Sequence, residues 1–216
     1  MRKKTFAAAA LLAAAALTLS ACGSGGDSDS SVASVSQETA QRPVTVLDQP
    51  FTKPALVLTD TRGKPYDLRK ETAGRPTLIY FGYTNCPDVC PLTMNNIAVA
   101  KKQLPKAEQD ALRVVFVTTD PDRDTPAALG KWLQGIDPQV VGLTGKFATV
   151  QAAAYRLGIT VEAPHKDKNG KIVSTHGTQV VAFSPKTDAG YLLYDESASV
   201  DDYTKDLPKI VKGENP

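Results

Sequence analysis

Along this chain apolar positions recur either every second residue or every three to four, and the changes of period mark its elements. Residues 55–58 and 65–68 flank the polar, glycine-bearing turn Thr59-Asp60-Thr61-Arg62-Gly63 and predict a small hairpin. Residues 77–83 form a short apolar run rich in aromatics, the pattern of a buried central strand. In 91–104 the apolar Ile97, Ala98, Ala100 and Leu104 fall at helical steps, and Pro91 suits a first helical position. Residues 113–118 predict a second buried strand, and Thr125-Pro126 opens a helix through about Gln134. Thr144 caps a further helix over 145–157 that Gly158 ends. Residues 178–183 and 191–194 predict two strands joined by 185–190. A last helix follows over 199–211, which Pro208 kinks or shortens.

The N-terminus follows neither pattern. Arg2, Lys3 and Lys4 precede an uncharged, nearly unbroken apolar run of 14 residues, 6–19. That is short of the roughly 20 residues a membrane-spanning helix needs, and it has the layout of a secretory signal peptide. Leu19-Ser20-Ala21-Cys22 looks like a bacterial lipobox, in which Cys22 is acylated and becomes the new N-terminus. Residues 1–21 are therefore expected to be a signal peptide. Residues 22–45, mostly small and polar, are expected to be a flexible, lipid-anchored tether, because they bury too little to offset the entropy of ordering. Residues 46–216 then form one domain, exported and held at the outer face of the cell membrane.

Charge narrows the partners only slightly. Taking the leader's 3 basic residues from the total of 25 leaves 22 against 23 acidic ones, a net charge of −1 for the mature chain. No basic stripe or run of exposed aromatics points to nucleic acid. With Cys22 committed to lipid, Cys86 and Cys90 are the remaining cysteines.

The element order is hairpin, strand, helix, strand, helices, antiparallel pair, helix. It predicts an α/β fold with a mixed central sheet flanked by helices and an N-terminal hairpin, the arrangement of thioredoxin-like folds. Cys86-Pro87-Asp88-Val89-Cys90-Pro91 then lies between a buried strand and a helix, where open α/β sheets gather ligands. The helix start is expected to lower the pKa of Cys90 and favour its thiolate. A bridge closing so small a loop adds little stability, so redox chemistry and metal binding are the stronger readings of the pair. Thioredoxins separate their cysteines by two residues, not three, and place a cis-proline near them. Here that neighbourhood reads Val173-Ser174-Thr175-His176-Gly177. Two sulfurs and an imidazole suit copper or zinc. His165 sits in the polar stretch 163–171, read as a mobile surface loop. Asp88 between the cysteines could orient a ligand, approach a metal through water, guide a partner, or act only as a turn residue. Asp120, Asp122, Arg123 and Asp124 read as loop and cap residues, with an acidic docking patch as the alternative.

The run Tyr80-Phe81-Gly82-Tyr83-Thr84-Asn85-Cys86-Pro87-Asp88-Val89-Cys90-Pro91 resembles the signature of the Sco/SenC proteins, as does Thr119-Asp120-Pro121-Asp122-Arg123-Asp124-Thr125-Pro126. The resemblance spans about 46–207. It implies a copper metallochaperone that binds one copper ion, Cu(I) or Cu(II), per chain through Cys86, Cys90 and His176. It further implies delivery of that copper to the dinuclear site of cytochrome c oxidase subunit II, with another copper chaperone or a thiol reductant as further partners. The alternative is a thiol–disulfide oxidoreductase whose redox-active dithiol, Cys86 and Cys90, reduces the oxidase subunit's cysteines before metal enters. A peroxiredoxin-like peroxidase is disfavoured, because Tyr83-Thr84-Asn85-Cys86 lacks the usual Pro-x-x-x-Thr-x-x-Cys context. The family commonly has Asp before the histidine where this chain has Thr175, which bears on what contacts the imidazole.

Overall fold

The computed structural model describes residues 42–170 and 172–216. The expected signal peptide, Cys22 and nearly all of the expected tether lie outside the described residues. In chain order the elements are β1 (Val44–Thr52), β2 (Val57–Asp60), β3 (Pro65–Asp67), the short α1 (Leu68–Glu71), β4 (Thr77–Gly82), α2 (Val89–Lys102), α3 (Lys106–Ala111) and β5 (Arg113–Thr118). They continue with α4 (Pro126–Gln134), β6 (Val141–Thr144), α5 (Phe147–Tyr155), β7 (Glu162–Lys166), β8 (Ile172–Thr175), β9 (Val180–Phe183), β10 (Ala189–Tyr194) and α6 (Val200–Lys212).

Among the described residues eight strands form one mixed sheet, in the order β1-β10-β9-β4-β5-β6-β2-β3. β4, β5 and β6 run parallel at its centre, and β9 lies antiparallel to β4. All six residues of β4 are buried, as a strand covered on both faces requires. Its alternation divides the core. Leu78 and Tyr80 face one layer with Met94 and Ile97 of α2, Leu129 of α4 and Leu207 of α6. Ile79 and Phe81 face the other, with Val150 and Ala154 of α5 and Leu143 of β6. The thioredoxin-like, mixed-sheet expectation is met.

Several elements depart from the sequence reading. Val44 and Thr45, placed in the tether, open β1, which pairs with β10 at the edge opposite the β2–β3 hairpin. Thr144 is no helix cap; it ends β6 and pairs with Thr59, so α5 starts only at Phe147. Residues 162–175 contain a second hairpin rather than only a loop, and β7 and β8 pair with each other in a separate two-stranded sheet. α6 continues past Pro208 to Lys212. A Ser199–Asp202 capping box starts it, and Gly213 at φ 67° ends it in the left-handed conformation glycine tolerates.

Candidate metal centre

β4 delivers the chain at Gly82, and residues 83–88 turn it into α2. Helix α2 begins at Val89, two residues earlier than Pro91, so Cys90 lies in its first turn. The Cys86 N–H donates to the Tyr83 carbonyl at 3.2 Å and tightens the turn. The Cys90 N–H, which no helical carbonyl can satisfy at this position, donates to the Cys86 sulfur at 3.4 Å. Cys90 is fully buried and Cys86 is 9% exposed. Both cysteines are free thiols. The Cys90 sulfur occupies space that only a glycine leaves open, since a Cβ on Gly82 would lie 2.7 Å from it. The Tyr80 hydroxyl donates to the same sulfur at 3.5 Å.

His176 follows β8 directly. Its Nε2 lies 3.5 Å from the Cys86 sulfur and 3.3 Å from that of Cys90. Its Nδ1 is 2.9 Å from the Gly177 carbonyl, which can only accept. Nδ1 therefore carries the proton, and Nε2 turns its lone pair toward the sulfurs. The edge of the ring meets Tyr83 and Tyr80, with centroids 5.2 and 6.0 Å away. Gly177 packs so closely on Ile159 that an added Cβ would lie 2.2 Å from it. The Cys86, Cys90 and His176 ligand atoms all lie within 4.8 Å of one another. Two soft sulfurs and one imidazole in that compass make a three-donor set for Cu(I), Cu(II) or Zn.

The charge falls on the cysteine not expected to carry it. The hydrogen bond from the Cys90 thiol, then the N–H groups of Cys90 and Asp88, hold Cys86 down at about 4 against the opposing effect of burial. The same Cys86 bond, with burial, pushes the Cys90 thiol far up. The first-turn N–H groups of α2 do favour a thiolate, but they point at Cys86, outside the helix.

Asp88 is exposed, N-caps α2 with its backbone and makes no side-chain cap bond. His165 is exposed on β7 and is not among the clustered ligand residues. The Asp120–Asp124 loop is largely no acidic surface: Asp120 and Asp124 are 1% and 0% exposed, and Asp122 alone of its carboxylates is open. Asp124 accepts from the Thr84 N–H at 2.9 Å and from the Thr84 and Thr118 hydroxyls, each at 2.6 Å. Asp120 pairs with Arg123. Sequence reasoning passed over Tyr80, Gly82, Thr84, Ser174 and Gly177, whose roles come from contacts that side-chain pattern does not announce. The repeated aromatics of 80–83 around the single Gly82 were the available signal.

The family model SCO1/SenC matches residues 44–212, which takes in both ligand-bearing segments and the loop between β5 and α4. The chain belongs to the SCO1/SenC family. Protein SCO1, mitochondrial, of Saccharomyces cerevisiae is 30% identical over 161 residues, covering 73% of this chain and 54% of that protein. The chain spans about half the length of the curated relatives it matches first. Among solved structures, apo Sco1 of Thermus thermophilus superposes with a TM-score of 0.67 at 28% identity, over 79% of this chain and 98% of that one. Copper-bound ScoI of Bradyrhizobium japonicum gives a TM-score of 0.62 at 28% identity, over 75% and 98%. The Cys-x3-Cys and histidine donors of this Sco protein thus sit in a fold whose relatives include a copper-bound form.

Proposed function

We propose that this chain is a copper metallochaperone. It takes up one copper ion between Cys86, Cys90 and His176 and delivers it to the dinuclear copper site of cytochrome c oxidase subunit II. The observation that carries the reading is the convergence of two sulfurs and one Nε2, already oriented by the Gly177 carbonyl, at the mouth of a Sco fold. A Sco protein whose fold this chain shares is described as a member of a family of cytochrome c oxidase assembly proteins. Three donors leave a position open, so a partner's cysteine or histidine can attach before the first bond breaks. The leader and Cys22 support export and lipid attachment at the outer face of the cell membrane, where an oxidase subunit's copper site is within reach.

A second reading is thiol–disulfide exchange, favoured by the asymmetric pair. A Cys86 thiolate attacks a partner disulfide, and Cys90, losing its proton, resolves the mixed disulfide. The partner leaves reduced, this pair is oxidised, and an external thiol reductant restores it. Exchange needs both cysteines and no imidazole, whereas copper, above all Cu(II), needs the third donor. The test compares oxidase activity and dinuclear copper content in strains carrying wild type, His176→Ala or Cys86→Ser at matched protein levels. Delivery predicts that His176→Ala fails nearly as fully as Cys86→Ser. A near-normal His176→Ala strain overturns delivery in favour of the reductase.

A further inference from the structure

The histidine reaches the cysteines from a different piece of structure. Among the described residues β8 hydrogen-bonds only to β7 in its ladder, and that hairpin is not part of the eight-stranded sheet. The loop between β5 and α4 meets both ligand-bearing segments. Asp124 accepts from Thr84, two residues before Cys86. Asp120 pairs with Arg123 and accepts from the Ser174 hydroxyl at 3.1 Å, and Arg123 reaches the same hydroxyl oxygen at 3.1 Å. Ser174 lies two residues before His176. Asp120 and Ser174 are 1% and 5% exposed, so these bonds form away from competing water.

We propose that Asp120, Arg123 and Ser174 are positioning residues for His176: the closed triad docks β8 onto the end of β5 and so sets the distance from the imidazole to the two sulfurs. This inference rests on the copper reading of the site. The cysteine end is held separately, through Asp124 and Thr84, so loss of the triad loosens the imidazole and leaves the dithiol in place. Cu(I) accepts two thiolates. Cu(II) does not hold on them alone, so the triad acts on the Cu(II) form.

The test uses Ser174→Ala, which removes the hydroxyl but keeps the Asp120–Arg123 ion pair. Arg123→Ala would strand a buried carboxylate and confuse positioning with folding. In the whole domain, Cu(II) affinity is expected to fall about 10–100-fold, the range for losing a contact that orients a metal ligand. The Cu(II)–thiolate absorption should shift, Cu(I) affinity and the dithiol's reduction potential should be retained, and Ser174→Thr should restore Cu(II) binding. In the metal-free protein the His176 ring resonances should broaden or move. Unchanged Cu(II) affinity together with unchanged His176 resonances in Ser174→Ala overturns the inference. If wild type binds no copper, it is the copper reading that fails, and the metal-free His176 resonances then decide the positioning claim alone.

Discussion

At the scale of single residues, the sulfur of Cys86 collects hydrogen bonds from the Cys90 thiol and from backbone N–H groups. That of Cys90 is enclosed by Tyr80, Gly82 and α2. With Cys86 held at about 4, its thiolate persists through neutrality, while Cys90 stays protonated and inaccessible. In the reduced, metal-free chain at about pH 6, iodoacetamide is therefore expected to modify Cys86 and spare Cys90, because the thiolate is the reacting species. Reactivity of Cys86 should decline only as pH falls through its lowered pKa. Peptide mass mapping checks this, and equal labelling of both cysteines would contradict the assignment. The donor set was legible in the sequence, because cysteine and histidine declare themselves by type and spacing. Which sulfur carries the charge was not. It follows from α2 starting at Val89 rather than Pro91, and a shift of two residues in a helix start is beyond what side-chain pattern resolves.

Among the elements, β5 and α4 agree with their sequence reading to the residue. A continuous apolar run and a Thr-Pro cap leave little choice. β6 was hidden because Val-Gly-Leu-Thr is short and runs into a strong helical pattern. β7 was hidden because its pattern is polar, with all of it but Pro164 exposed, and β8, Ile-Val-Ser-Thr, because it is only four residues long. The loop between β5 and α4 was read as caps and surface, whereas two of its carboxylates are interior fasteners. Asp124→Asn should cost about 2–3 kcal/mol, since hydrogen bonds to a buried charged acceptor are worth most when lost. Asp122→Asn, on the exposed side of the same loop, should change stability by less than about 0.5 kcal/mol. Urea denaturation of the two variants checks the contrast. Equal effects would restore the view of the loop as an acidic surface.

For the whole molecule, the layered α/β plan followed from the order of periods in the sequence, but the edges of the sheet did not. β1 joins β10 across most of the chain's length, and nothing local in 44–52 announces a partner at 189–194. No helix among the described residues is long and apolar enough to cross a membrane. On the proposed lipid attachment at Cys22, intact-mass measurement of protein from cells is expected to show acyl chains there. Cys22→Ser should release the folded domain or stall processing, and wild-type protein without lipid would remove the anchor from the proposal.

The separate β7–β8 hairpin also changes how grip on a metal is governed. Cys86 and Cys90 pack in the core, so on the copper reading they form a two-toothed chelate whatever the hairpin does. The imidazole is a third tooth carried on a separately paired hairpin, and its contribution is an effective molarity set by how firmly that hairpin is docked. On the proposed reading, a receiving protein that competes for the docking face of β8 need not outbid any sulfur at the outset. It lowers the denticity of the donor from three to two, and the ion's residence time shortens at the moment an acceptor is alongside.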